Sequence, residues 1–172
     1  LLIDMDPQAN ASTGIGVYKG DAELTVFDLL VDDIPTNEVI LKTNEENLFL
    51  IPSSQELAGF EAMIVMEKDR EFRLLPKLEQ VKDYFDYIII DCPPSLGLLT
   101  INALSAADST LIPVQCEYFA LEGIMQLINT IMLALSFKKT KSIFCVLLSW
   151  VTESRYRTVQ RNTSSTDILP SE

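Results

Sequence analysis

The sequence predicts an α/β fold with a mostly parallel central sheet flanked by helices. Two observations lead to this prediction: short, continuously apolar segments recur along the chain, and segments with helical periodicity lie between them. The length of 172 residues suits one domain with a substantial core. Apolar residues make up 48% of the chain, which excludes intrinsic disorder for most of it.

Five apolar segments are the predicted strands: 1–4, 47–51, 87–91, 109–114 and 142–148. The consecutive isoleucines at 88–90 are typical of a strand that is covered on both faces. Residues 74–85 and 121–135 carry apolar side chains at helical spacing, and Ser53 with Glu56 forms a candidate capping box that opens a further helix. Strands and helices therefore alternate along the chain.

The two ends of the chain differ from its middle. A buried strand that begins at residue 1 predicts that an upstream partner strand has been truncated. Residues 149–172 are rich in serine and threonine and have little apolar periodicity, so this tail is predicted to be disordered. The predicted domain is therefore 1–148.

The composition excludes several functions. A net charge of −12 argues against a broad basic face for nucleic acid or anionic lipid. Because the chain has no histidine, Ser-His-Asp and Cys-His catalysis and HExxH zinc sites are excluded. Cys92, Cys116 and Cys145 are far apart and are predicted to be buried, reduced thiols. Without a signal peptide or a long apolar span, a cytoplasmic protein with no membrane association is expected.

Acidic residues follow two of the predicted strands. Asp4 and Asp6 end the first strand and Asp91 ends the third, and each strand is followed by a proline-containing loop. Open parallel sheets bind ligands at the carboxyl ends of their strands, where carboxylates suit a hard cation such as Mg²⁺. The alternative is that these acids only cap loops or the next helix.

The glycines of residues 14–20 are predicted to be plain turn glycines. Their spacing fits neither GxGxxG nor GxxxxGK[ST], and they follow a polar segment instead of a strand. The 172 residues therefore contain no phosphate-cradling loop.

Three segments closely resemble the ParA/Soj family of deviant-Walker ATPases, which partition chromosomes and plasmids in bacteria. They are DMDPQANAS at 4–12, YIIIDCPPSLG at 87–97 and IPVQCEYFALEG at 112–123. The resemblance extends to about residue 148, and it implies a P-loop NTPase fold of the SIMIBI type that lacks its first strand and its P-loop.

The resemblance also implies a role for each matching residue, with ATP and Mg²⁺ as cofactors. Asp91 matches the Walker B aspartate, which holds Mg²⁺ through water. Asp6 matches the aspartate that orients the attacking water, and Asp4 matches the aspartate that supports the metal and phosphate site. The remaining matches lie in switch I (Asn10) and switch II (Pro93, Pro94 and Ser95), loops that sense the γ-phosphate.

For an intact member, the resemblance implies ATP-dependent dimerisation, non-specific DNA binding on the nucleoid and stimulation by a ParB-type partner. The family's KGGxGKT[TS] loop is not in these residues, and the sequence after Ser149 departs from the family. The chain alone is therefore expected to fold poorly, to lack ATPase activity and to bind no DNA in response to ATP.

Two other functions are considered. The chain can be a non-enzymatic remnant or interaction fragment, or a receiver-like domain that binds Mg²⁺. The Pro93-Pro94 loop and the lack of a lysine after the fifth strand argue against the receiver.

Overall fold

The computed structural model describes residues 1–32, 34–95, 97–115 and 143–149. The predicted helix at 121–135, Cys116 and residues 150–172 of the tail lie outside the described residues. Four strands form a mixed sheet: β1 (Leu2–Asp4), β2 (Leu41–Lys42), β3 (Phe49–Ile51) and β4 (Ile89–Asp91). A second, parallel pair consists of β5 (Ser109–Gln115) and β6 (Ile143–Ser149).

The strand order of the mixed sheet is β2-β3-β1-β4. β1 lies between β3 and β4 and is parallel to both, whereas β2 is antiparallel to β3. The mostly parallel sheet is therefore confirmed, and each predicted strand corresponds to an observed one. The two-residue strand β2 was not predicted.

The helices in the described part of the chain are short. They are α1 (Asn10–Gly14), α2 (Val26–Val31), α3 (Thr36–Val39), α4 (Phe60–Ile64), α5 (Leu74–Glu79) and α6 (Leu98–Ala106), with 3₁₀ segments at Gln55–Gly59, Arg70–Phe72 and Lys82–Tyr84. The helix predicted over 74–85 is therefore divided into α5 and a 3₁₀ turn. None of the described helices is long and apolar enough to cross a bilayer.

The capping box predicted at Ser53 and Glu56 is wrong. The helix that follows is a 3₁₀ segment without a side-chain cap, and the Ser53 hydroxyl donates instead to the backbone oxygen of Asp6, at 2.6 Å. A capping box occurs at the start of α2, where the Thr25 N–H donates to Asp28 Oδ2 at 2.7 Å. Reciprocal bonds of this kind satisfy donors that a helix N-terminus leaves unpaired.

The core lies between the mixed sheet and the helices. Ile3, Leu50 and Ile51 in β1 and β3 are fully buried, as is Phe60 in α4. Ile89 departs from the predicted two-sided burial, because 63% of its surface is exposed. It lies in β4, the terminal strand of the mixed sheet among the described residues.

Candidate functional site

The carboxyl ends of β1 and β4 bring three acidic residues to one edge of the sheet. Asp4 and Asp91 are register partners on these adjacent strands, and the Met5 N–H donates to the Asp91 backbone oxygen at 2.8 Å. Asp6 lies two residues beyond Asp4, on the loop that leaves the same edge. Residues that are about 85 positions apart in the sequence thus meet because β1 and β4 are parallel neighbours.

Asp4 is completely buried, and its carboxylate is fully used within the protein. Its Oδ1 accepts the Asp6 N–H at 3.1 Å, and its Oδ2 accepts both the N–H and the hydroxyl of Ser12, at 2.8 and 2.7 Å. Hydrogen bonds to an ionised acceptor are stronger than neutral ones. Asp4 therefore shapes the loop between β1 and α1, and it acts on the site through that loop.

Two serines that were not predicted as site residues connect the β1 and β3 ends of the sheet. The Ser53 N–H donates to Ser12 Oγ at 3.2 Å, and the Ser53 hydroxyl donates to the Asp6 backbone oxygen at 2.6 Å. Ser53 follows β3 by two residues, so the sequence signal that could have identified it was its position at the carboxyl end of a strand.

Asp6 lies at the start of a tight turn. Its Oδ1 accepts the Gln8 N–H at 2.9 Å, and its backbone oxygen accepts the Ala9 N–H, also at 2.9 Å. Among the described residues, Asp6 Oδ2 has no hydrogen-bond partner. Ala9 has a φ of 54°, in the left-handed region that disfavours residues with a Cβ, and Asn10 then begins α1 with its side chain exposed.

The neighbouring carboxylates affect two titratable groups. The pKa of the Asp91 carboxyl is raised, first by partial burial and then by the negative charges of Asp4 and Asp6. Burial, with smaller contributions from Asp91 and Asp6, raises the pKa of the Cys92 thiol to about 12. Since the thiolate is the reactive form, this shift lowers the reactivity of Cys92, which is a free thiol of intermediate burial where a buried one was predicted.

Within the described part of the chain, none of the ion pairs involves Asp4, Asp6 or Asp91. The described residues also contain no cluster of three or more histidine, cysteine or acidic side chains that could hold a metal ion by themselves. Asp91, the exposed carboxylate of the three, suits Mg²⁺, which keeps several waters and uses only one or two carboxylates together with phosphate oxygens.

The loop after β4 is fixed to α6 by a threonine. The Thr100 hydroxyl lies 2.6 Å from the Ser95 backbone oxygen and 3.5 Å from that of Pro93. Pro94 and Ser95 are exposed beside Asp91. The predicted switch residues therefore lie at the same edge as the carboxylates.

Gly16 and Gly20 are turn glycines, as predicted, whereas Gly14 is the last residue of α1. Gly16 and Gly20 have φ values of 89° and 90°, which only glycine adopts easily, and a Cβ added at either would meet open space. Their role is therefore in the turn geometry.

Comparison with known proteins identifies the family. A protein-family model described as an AAA domain matches residues 1–144. The chain belongs to this family. It is 58% identical over 133 residues to Soj, the sporulation initiation inhibitor protein of Bacillus subtilis, covering 77% of this chain and 53% of Soj. It is 50% identical over 131 residues to the chromosome partitioning protein ParA of Myxococcus xanthus, covering 76% of this chain and 46% of that protein.

These relatives confirm the resemblance to ParA/Soj ATPases, and the chain spans about half the length of each. A crystal structure described as cobyrinic acid a,c-diamide synthase from Mycobacterium smegmatis, with bound ADP and magnesium, matches with a TM-score of 0.80 at 32% identity. The match covers 96% of this chain and 69% of that one. It confirms the fold as that of a P-loop ATPase.

Proposed function

We propose that this chain carries the magnesium and switch residues of a ParA/Soj-type ATPase, which binds ATP with Mg²⁺ and hydrolyses it to ADP and phosphate. The observation that supports this best is the meeting of Asp4, Asp6 and Asp91 at one edge of a parallel sheet, without a balancing cation among the described residues. Phosphoryl transfer requires positioning and charge neutralisation more than covalent catalysis, so a site without histidine is sufficient.

Each residue has a role in this proposal. Asp91 is the exposed carboxylate that holds Mg²⁺ through water, and the metal supplies charge neutralisation at the phosphates. Asp6 orients the attacking water with Oδ2, the oxygen that has no hydrogen-bond partner among the described residues. Asp4 positions Asp6 by accepting its backbone N–H. Asn10 and the loop at 93–95 respond to the γ-phosphate.

The biological role in this proposal is DNA partition in the cytoplasm. Relatives named as a chromosome partitioning protein and a chromosome-partitioning ATPase support it. Dimerisation and a ParB-type partner belong to the same proposal, on the resemblance to the ParA/Soj family. A net charge of −12 does not favour DNA contact by this chain, so the DNA-binding surface of the complete ATPase is assigned to residues outside it.

A hybrid protein tests the ATPase proposal. The segment of this chain that matches Bacillus subtilis Soj replaces the corresponding segment of Soj, and Mg-ATP binding and phosphate release are measured. We expect the hybrid to hydrolyse ATP, and we expect Asp6→Ala to retain binding while turnover falls by about 100-fold, the contribution typical of a residue that directs a proton or a water.

Glu46→Gln is the matched control, because Glu46 is exposed and has no hydrogen bond or ion pair within the described part of the chain. It should leave binding and turnover unchanged. A hybrid that folds but binds no Mg-ATP would refute the proposal, as would an Asp6→Ala hybrid with normal turnover.

The second candidate is a non-enzymatic fragment, favoured by the lack of a phosphate-cradling loop in the 172 residues. Calorimetric titration of the chain alone with Mg-ATP tests this second candidate. Saturable binding of Mg-ATP with micromolar affinity would exclude the hypothesis that the chain is a fragment that does not bind nucleotides.

A further inference from the structure

A glutamate on α4 contacts the N-terminus of α6, the helix that follows the Asp91 loop. Glu61 Oε1 accepts the Leu98 N–H at 2.5 Å, across 37 positions in the sequence. The first N–H groups of a helix have no partner inside the helix, and a negative charge is favourable beside them. Glu61 thus satisfies one of these donors from a neighbouring element.

Gly97 leaves the space that this contact requires. A Cβ at position 97 would overlap Glu61 Oε1, whereas the same test at Gly59 meets nothing. The backbone angles of Gly97, φ −83° and ψ −173°, are ordinary for any residue. The three atoms nearest to such a Cβ all belong to the Glu61 carboxylate, so a side chain at position 97 would require this carboxylate to move away from the Leu98 N–H.

The body of α6 is anchored separately. The fully buried Asn102 donates to the Arg70 backbone oxygen at 2.8 Å and accepts the Leu74 N–H at 3.2 Å. Asn102 therefore fixes the middle of α6 to the start of α5, and Glu61 fixes its first turn. Thr100, between these two points, holds the backbone oxygens of the loop that leaves Asp91.

We infer that Glu61 and Gly97 form a positioning pair: Glu61 holds the first turn of α6 to α4, and this contact sets the loop that follows Asp91. The effect of this contact on metal binding rests on the proposed function, in which Asp91 holds Mg²⁺. The contact itself does not depend on that proposal. Neither residue belongs to the three carboxylates or to the switch residues of that proposal.

A double-mutant cycle on the full chain tests the contact. Gly97→Ala should lower the thermal unfolding midpoint by about 3 °C, because the new Cβ displaces the Glu61 carboxylate. In the Glu61→Ala background, Gly97→Ala should not lower the unfolding midpoint. It should raise the midpoint slightly, because alanine reduces the conformational entropy of the unfolded chain. An equal loss in both backgrounds would overturn the steric argument.

Hydrogen exchange of the Leu98 amide gives a local measurement. Protection of this amide should fall in Glu61→Ala and be largely retained in Glu61→Gln, which keeps the acceptor oxygen. Glu46→Ala, a matched exposed control, should leave it unchanged. Protection that is the same in wild type and Glu61→Ala would refute the pair.

Mn²⁺ alone, used as the probe for the metal site, tests the positioning role. We expect Mn²⁺ to broaden the NMR signal of the Cys92 amide, and Glu61→Ala to require about tenfold more metal, as for other residues that orient a metal ligand. A purely structural contact would leave this concentration unchanged, which would overturn the positioning role. If wild type shows no broadening, the metal role of Asp91 fails, while the cycle still decides whether the contact exists.

Discussion

Ser12→Ala tests whether the loop around the site depends on the buried carboxylate of Asp4. The change removes the Ser12 hydroxyl, which lies 2.7 Å from Asp4 Oδ2 and accepts the Ser53 N–H at 3.2 Å. A hydrogen bond to a charged group contributes about 2 kcal/mol and a neutral one about 1 kcal/mol. Asp4 and Ser12 are 0% and 2% exposed, so water cannot replace either bond at little cost. We therefore expect a loss of about 3 kcal/mol in the free energy of unfolding.

Urea unfolding followed by circular dichroism measures this loss, and an unchanged m-value would show that the denatured state is unaffected. Ser105→Ala is the matched control, because Ser105 is 7% exposed and its side chain has no hydrogen bond among the described residues. The control should change stability by less than about 0.5 kcal/mol. If Ser12→Ala behaves like the control, the Asp4 network does not hold the loop, and the geometry assigned to Asp6 loses its basis.

Two further predictions concern the same edge of the sheet. Ala9→Gly should stabilise the chain by about 1 kcal/mol, because the φ of 54° at Ala9 is unfavourable for a residue with a Cβ. The control Ala62→Gly, on the exposed face of α4, should destabilise the chain by a similar amount. Calorimetry measures both changes, and a loss of stability in both variants would contradict the reasoning. The raised pKa of Asp91 means that its ionisation opposes folding as the pH rises above the ordinary value of 3.8. Asp91→Asn should therefore raise the unfolding midpoint at pH 7 and give no gain at pH 3, and an equal gain at both would exclude titration as the cause.

The sequence predicted the strands better than the helices. The segments at 1–4, 47–51 and 87–91 each contain a run of at least three consecutive apolar residues, which made them visible. Burial in the parallel sheet accounts for the runs in β1 and β3, whereas Ile89 in β4 is exposed. β2 has only two residues, too few for any periodicity to be visible. The helical spacing at 74–85 continues past the end of α5, because periodicity does not register the change of backbone at Val81, where φ is −127°.

The carboxylates of the candidate site could be found in the sequence, and the residues that hold them could not. Asp4, Asp6 and Asp91 follow strands, and acids at strand ends are a readable pattern. Ser53 and Glu61 bind backbone groups of distant segments, so their contacts depend on how the strands and helices pack. Every residue has a backbone oxygen, so a hydrogen bond to the backbone cannot be recognised from a pair of residue types in the sequence. The spacing of Ser53 and Glu56, in contrast, is a recognisable pattern, and it led to the wrong prediction of a helix cap.

The hydrogen bonds at this edge separate two kinds of carboxylate. Asp4 is satisfied by three donors and stabilises the folded loop, whereas Asp91 is exposed and its raised pKa shows that its charge is unfavourable there. A neutral residue at position 91 would stabilise the fold, since an uncharged side chain avoids the cost of partly burying a charge and, to a lesser extent, the repulsion from Asp4 and Asp6. Retaining an acid at such a position is costly for stability and useful for binding a cation, because the cation removes the same repulsion. The Asp91→Asn measurement therefore tests the cost of the charge at position 91, which a bound cation would reduce.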